Sequence, residues 1–160
     1  MTQRIIARLD VKGPDVVRGI HLEGLRKVGK PEDLAERYYE AGIDEIVYYD
    51  TVATLYGRNS LISYIESMAE RTFIPVCVGG GIRKEDDVQA LLRAGADKVT
   101  INSAAVRRPG MITELANVYG SQCIVSQIEV QRDRGSGEWK VMIENGRETT
   151  GLDAIEWAKQ

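Results

Sequence analysis

The sequence predicts an α/β fold of the (β/α)8 barrel type, present as about five strand–helix units forming one domain over residues 1–160, with a β-hairpin excursion after the fifth strand. Three observations predict it. Apolar runs rich in Val and Ile alternate with helical patterns across short connections, which implies parallel strands and right-handed crossovers. The units recur at intervals of about 25 to 30 residues, as barrel units do. A Gly-x-Asp phrase introduces two of the strands, GIDEIV at 42–47 and GADKVT at 95–100. An open doubly wound sheet fits the alternation too, but the regular spacing favours the barrel. A complete barrel takes about 250 residues, so an incomplete one is expected.

The elements follow in order. Residues 5–11 form a strand-like run. A helix is expected over 31–41, with Pro31 in the first turn and Gly42 as its stop. EIVYYD at 45–50 is the second strand. Residues 58–71 form a second helix, with Leu61, Ile62, Ile65, Met68 and Ala69 on one face. Strands at 75–78 and 98–102 flank a helix at 84–94 that ends at Gly95. A helix at 109–119 ends at Gly120, and CIVSQIEV at 123–130 reads as one fifth strand. The excursion combines a Gly-Ser-Gly turn, an alternating EWKVMI arm and an Asn-Gly turn, and a last helix begins at 153.

Composition narrows the function classes. A net charge of -3 gives no attraction for nucleic acid or membrane. MTQRIIARLDV carries no secretory pattern, so a cytosolic protein is expected. Cys77 and Cys123 read as reduced core thiols, and a single histidine, His21, excludes a histidine-rich metal site.

Alternate residues of a barrel strand face the interior. On the first strand Arg4, Ile6, Arg8 and Asp10 share a face, on the second Glu45, Val47 and Tyr49, on the fourth Lys98, Thr100 and Asn102, and on the fifth Val125, Gln127 and Glu129. The opposite faces are apolar and suit packing against helices. The inner face is polar at both ends. Arg4, Glu45 and Lys98 at the N-terminal ends fit a stabilising ion-pair ring and fit a passage equally. Asp10 and Glu129 at the C-terminal ends, where catalytic residues of this fold lie, suit shared acid and base work across the mouth. Gly80 and Gly81 top the third strand and Asn102-Ser103 the fourth. Bare amides beside a helix start suit a phosphate, although a tight turn also explains the glycines.

RIIARLDVK at 4–12, GIDEIVYYD at 42–50, IPVCVGGGI at 74–82, GADKVTINSAAV at 95–106 and YGSQCIV at 119–125 together resemble the cyclase subunit family of imidazole glycerol phosphate synthase, a (β/α)8 enzyme of histidine biosynthesis. The resemblance covers essentially the whole chain and implies a lyase without cofactor. Such a lyase takes ammonia from a glutaminase docked at the barrel bottom. It converts a phosphoribulosyl-aminoimidazole-carboxamide ribotide to imidazole glycerol phosphate and an aminoimidazole carboxamide ribotide. By this resemblance Asp10 and Glu129 are the catalytic acids, and Gly81, Asn102 and Ser103 form one phosphate site. Arg18 stands in the mobile loop after the first strand, and Asp50 near the mouth. Arg4, Glu45 and Lys98 form the ammonia gate, and Asp97 faces the partner. The family's second phosphate site lies in the half of the barrel beyond these units.

The chain departs from the family pattern at three places. Glu129 stands for Asp, Arg18 for Lys, and Arg8 for a small residue, usually Cys, beneath Asp10. Arg8 needs a partner inside a barrel, and Glu129 or Gln127 is expected to supply one. These changes suggest a diverged relative, and GIHLEGLRKVGKP and TLYGRNSL look closer to the relatives that serve amidino-sugar formation. Three functions compete: the cyclase, a non-catalytic phosphate-binding subunit that channels ammonia from a glutaminase, and an inactive half-barrel. Open edges on the first and fifth strands predict self-association.

Overall fold

The computed structural model describes residues 3–20, 24–53 and 61–160. His21 and the first residues of the expected second helix, 58–60, lie outside the described residues. The chain divides into two compact units, Met1–Val99 and Thr100–Gln160. It is α/β, with parallel strands at its centre.

The first unit contains, in order, β1 (Ile6–Lys12), β2 (Asp15–Ile20), β3 (Gly24–Gly29), α1 (Pro31–Glu40), β4 (Glu45–Asp50), α2 (Ile62–Ala69), β5 (Val76–Gly79) and α3 (Glu85–Arg93), and β6 (Lys98–Ile101) begins at its end. Its strands lie in the order β3-β2-β1-β4-β5. β1 and β4 are parallel in the register Arg8↔Val47 and Asp10↔Tyr49. β4 and β5 are parallel with Tyr49 opposite Gly79. Leu9, Val11, Ile46, Tyr48, Val76 and Val78 are buried from the strands, as are Leu34, Ile65, Met68, Val88 and Leu91 from the helices. Burial of each such side chain contributes about 1.5–3 kcal/mol. The buried Tyr48 hydroxyl donates to the Pro31 carbonyl at 3.0 Å, so no polar group is stranded there. Burial also pushes the Cys77 thiol up to about 12, with the Glu45 charge adding to it, which makes Cys77 the inert core thiol expected.

The limits of α1 and α3 agree with the sequence cues, whereas α2, expected over 58–71, begins at Ile62 after its N-cap Leu61 and ends at Ala69. Pro31 occupies the first turn of α1, and the Gly42 amide closes its end on the Tyr39 carbonyl at 2.9 Å. The Asp87 carboxylate reaches back to the amides of Arg83 and Lys84 at 2.9 and 3.1 Å, which starts α3.

One element was not expected. Residues 13–30, read as loop, contain the antiparallel pair β2 and β3, and β2 pairs with the end of β1 through Val11↔Val16 and Lys12↔Asp15. The edge of the first strand, expected to be open, is therefore covered at its C-terminal end. The glycines at 19 and 24 interrupt the alternation that would have marked these strands. Tertiary contacts fix them instead: Asp15 is buried and ion-paired to Lys27 at 2.5 Å and to Lys30 at 3.3 Å.

The second unit contains the end of β6, α4 (Ser103–Arg107), α5 (Gly110–Tyr119), a 3-10 turn (Ser121–Cys123), β7 (Ile124–Ser126), β8 (Glu129–Arg132), β9 (Trp139–Ile143), β10 (Glu148–Asp153) and α6 (Ala154–Lys159). The expected single strand over 123–130 is broken. Cys123 ends the 3-10 turn, and β7 stops at Ser126, after which the Gln127 amide donates to the Ile101 carbonyl at 3.0 Å. β8 then pairs antiparallel with β9, and β10, β9 and β8 form a separate sheet. The reason is a change of pairing partner. The alternation runs unbroken through the sequence, but the apolar Val141-Met142-Ile143 arm is buried against its neighbours and captures the second half. α4 is too short for its period to be read in the sequence. Asp153 caps α6 by accepting from the amides of Ile155 and Glu156 at 2.9 and 3.1 Å. No helix among the described residues is long and apolar enough to cross a membrane.

Candidate functional site

The C-terminal end of β1 carries the first candidate acid. Burial along β1 alternates, with Leu9 and Val11 buried while Arg8 and Asp10 stay open, as the face assignment requires. Arg8 Nε donates to Asp10 Oδ1 at 2.8 Å, and its guanidinium lies over the Tyr49 ring, 4.3 Å from the centroid. The expected partners of Arg8 were Glu129 or Gln127. The partner found is Asp10 on its own strand, because two residues of strand place the acid within reach of the arginine.

The glycine turn follows β5. Gly80 and Gly81 have φ of +97 and +70, values that side chains rarely adopt. A Cβ on Gly80 would collide with the carbonyl oxygen of Asp50 and come within 2.9 Å of its amide nitrogen. A Cβ on Gly81 would lie 2.5 Å from that of Ala53. Both glycines are thus required by the turn after β4, whatever else their amides do. Asp50 builds that turn. It is 1% exposed, and Oδ1 accepts from the amides of Val52 and Ala53 at 2.9 and 2.8 Å. Asp50, the last residue of β4, is thus a buried turn former.

At the other end of the strands Arg4, Glu45 and Lys98 do come together. Glu45 Oε2 accepts from Arg4 Nη1 at 3.2 Å and Lys98 Nζ at 2.7 Å. The Glu45 side chain is 5% exposed, that of Lys98 23% and that of Arg4 62%, so the acid is the fixed member. Asp97 accepts from the Val76 amide at 2.8 Å through Oδ2. Asp44 does the same for the Ile5 amide at 2.6 Å. The recurrent Gly-x-Asp phrase thus has a physical use: each aspartate ties the start of its own strand to the start of a neighbouring strand in the sheet. Sequence reading noticed the repeat and missed this role.

In the second unit the Asn102 side chain is buried and donates to the Met142 carbonyl at 3.2 Å, while its Oδ1 has no hydrogen-bond partner among the described residues. The Ser103 hydroxyl oxygen accepts from the Glu144 amide at 3.1 Å, and Glu144 is ion-paired to Arg107 at 2.6 Å. The hairpin β9–β10 is therefore seated on the expected phosphate residues Asn102 and Ser103. Glu129 begins β8, accepts from Gln127 Nε2 at 3.4 Å and borders a shallow groove of about 340 Å³ together with Met142, Asn145 and Gly146. Asp10 and Glu129 belong to different units. Arg18 is exposed on β2, opposite Arg26. Among the described residues no group of three His, Cys, Asp or Glu is placed to hold a metal.

These residues lie within a match of residues 4–160 to the family described as histidine biosynthesis protein. The chain belongs to that family. Its similarity is to subunits named imidazole glycerol phosphate synthase subunit HisF. It is 54% identical to that of Legionella pneumophila over 98% of this chain and 73% of the relative. It is 51% identical to that of Bacillus cereus (strain G9842) over the whole chain and 63% of the relative. For Myxococcus xanthus (strain DK1622) the identity is 47% over the whole chain and 62% of the relative. The chain thus spans about two thirds of the length of these relatives.

Proposed function

We propose that the chain is the cyclase component of an ammonia-using lyase of the imidazole glycerol phosphate synthase type, built on the (β/α)8 barrel plan and serving histidine biosynthesis. Its substrate is a phosphoribulosyl-aminoimidazole-carboxamide ribotide, and its products are imidazole glycerol phosphate and an aminoimidazole carboxamide ribotide. What supports this most is the 54% identity to a HisF subunit over 98% of the chain. The chemistry explains the residue types. Ammonia adding to a carbonyl must lose a proton while the oxygen gains one, so two carboxyl groups with separate duties are needed. Asp10 and Glu129 take these roles. Gly80 and Gly81 offer backbone to a phosphate, with the Arg18 guanidinium as a further donor, and Asp50 shapes the turn behind the glycines. A glutaminase subunit delivers ammonia at the strand starts, where Arg4, Glu45, Asp97 and Lys98 lie.

The test is turnover of the ribotide by the purified chain with an ammonium salt as nitrogen source. Imidazole glycerol phosphate is expected to form, and Asp10→Asn to slow its formation by about a hundredfold or more. An inert wild-type chain overturns the reading. A second reading, a diverged subunit that binds phosphate and serves a glutaminase partner in amidino-sugar formation, is favoured by the place of Glu129 on an antiparallel sheet. It is recognised by stimulation of a glutaminase that Asp10→Asn leaves intact.

A further inference from the structure

We infer that Arg8 is a positioning residue, held flat by Tyr49, that aims the Asp10 carboxylate; this deepens the proposed function, on which the working role of Asp10 rests. The geometry begins with the strand. Arg8 and Asp10 are two residues apart on one face of β1, roughly 7 Å along the chain. Aspartate is too short to reach back, and arginine is long enough to reach forward. The bond that results, Nε to Oδ1 at 2.8 Å, joins side chains that are 47% and 41% exposed. An ion pair so exposed is weak and would not by itself hold one geometry.

Tyr49 supplies the rigidity. It is 6% exposed, lies opposite Asp10 in the register of β1 and β4, and carries the guanidinium carbon 4.3 Å from its ring centroid. A planar cation on a buried ring is attracted to the ring face and loses a rotational freedom at the same time. Arg8 is thereby fixed at two points, one on β4 and one on Asp10. The bond uses Oδ1 alone, and Oδ2 of Asp10 has no partner among the described residues. The Arg8 bond thus restrains the carboxylate through Oδ1 and leaves Oδ2 to act. Lysine in place of Arg8 keeps the charge but has neither the plane to stack nor a donor part-way along the side chain.

Two measurements on the purified chain test this. The first reads the Nε–H of Arg8 by NMR, without reference to turnover. Its signal is expected to be protected from solvent exchange in the wild type and in Tyr49→Phe, which keeps the ring, and to lose protection in Asp10→Ala, which removes the acceptor. A freely exchanging Nε–H in the wild type overturns the inference. The second reads kcat and KM with ammonium as nitrogen source. Arg8→Ala is expected to lower kcat roughly tenfold and to keep KM within about twofold, as a misaimed but present carboxylate would. Arg8→Lys is expected to recover little of the loss. Full recovery with lysine would reduce the role to charge, and a change confined to KM would make Arg8 a substrate contact; either result overturns the clamp. A wild-type chain inert toward ammonium, with the Nε–H protected, supports the clamp and counts against the proposed function alone.

Discussion

Gly80 shows how one residue can answer two demands. The run of glycines after β5 invites a phosphate reading, yet Gly80 is already obligatory for packing. Its φ of +97 and the nearness of the Asp50 backbone exclude any side chain. Gly80→Ala is expected to destabilise the chain by about 3 kcal/mol, combining the left-handed backbone penalty with displacement of the turn after β4. Gly19→Ala is the control. Gly19 has open space where a Cβ would stand and no positive φ, so its replacement is expected to change stability by less than about 1 kcal/mol. Chemical denaturation of the two variants checks both. At the same scale, the turn role of Asp50 and the strand ties of Asp44 and Asp97 were hidden in the sequence. An acid at a strand end looks the same whether it faces a substrate or a backbone amide.

Among the elements, the hairpin of β2 and β3 depends on one buried acid. Lys27 donates to Asp15, and with Lys30 holds its carboxyl below the usual value of 3.8 against the opposing effect of desolvation. A carboxyl whose folded value is depressed contributes stability above the unfolded value and loses it as pH falls through the folded one. The hairpin is therefore expected to stay ordered from neutral pH down past 3.8 and to loosen only in stronger acid. Amide chemical shifts of Val17 and Lys27 followed through an acid titration check this, and Asp15→Asn is expected to show the loosened shifts at neutral pH. Loosening that begins well above 3.8 would contradict the assignment. The break after β7, which sequence reading also missed, has a related cause. Pairing partners are chosen by which apolar arm can be buried, and alternation alone carries no address.

For the whole molecule the prediction concerns association. Among the described residues β3 stands at the end of its sheet, paired with β2, with Leu25 50% and Val28 54% exposed and with Arg26 and Lys27 between them. An edge of this kind offers unpaired backbone groups, and its charges only partly blunt it. Sedimentation equilibrium is expected to show concentration-dependent self-association of the 160-residue chain, weakened in Val28→Pro, which blocks the edge without changing its charge. A monomer at every concentration would contradict it.

By itself the sequence determined the alternation of strands and helices, the split of β1 into a packed face and an open face, the limits of α1 and α3, and the family. Each of these depends on short-range periodicity, on glycine and proline geometry, or on residue identity along the chain. Only the tertiary structure decided that Arg8 takes Asp10 as its partner, that Asp50 is turned inward, that Asn102 and Ser103 hold the β9–β10 hairpin, and that residues 123–130 divide between two sheets. Those outcomes turn on which of several polar groups or strands comes within hydrogen-bonding distance, and that distance is a property of packed neighbours far apart in the chain.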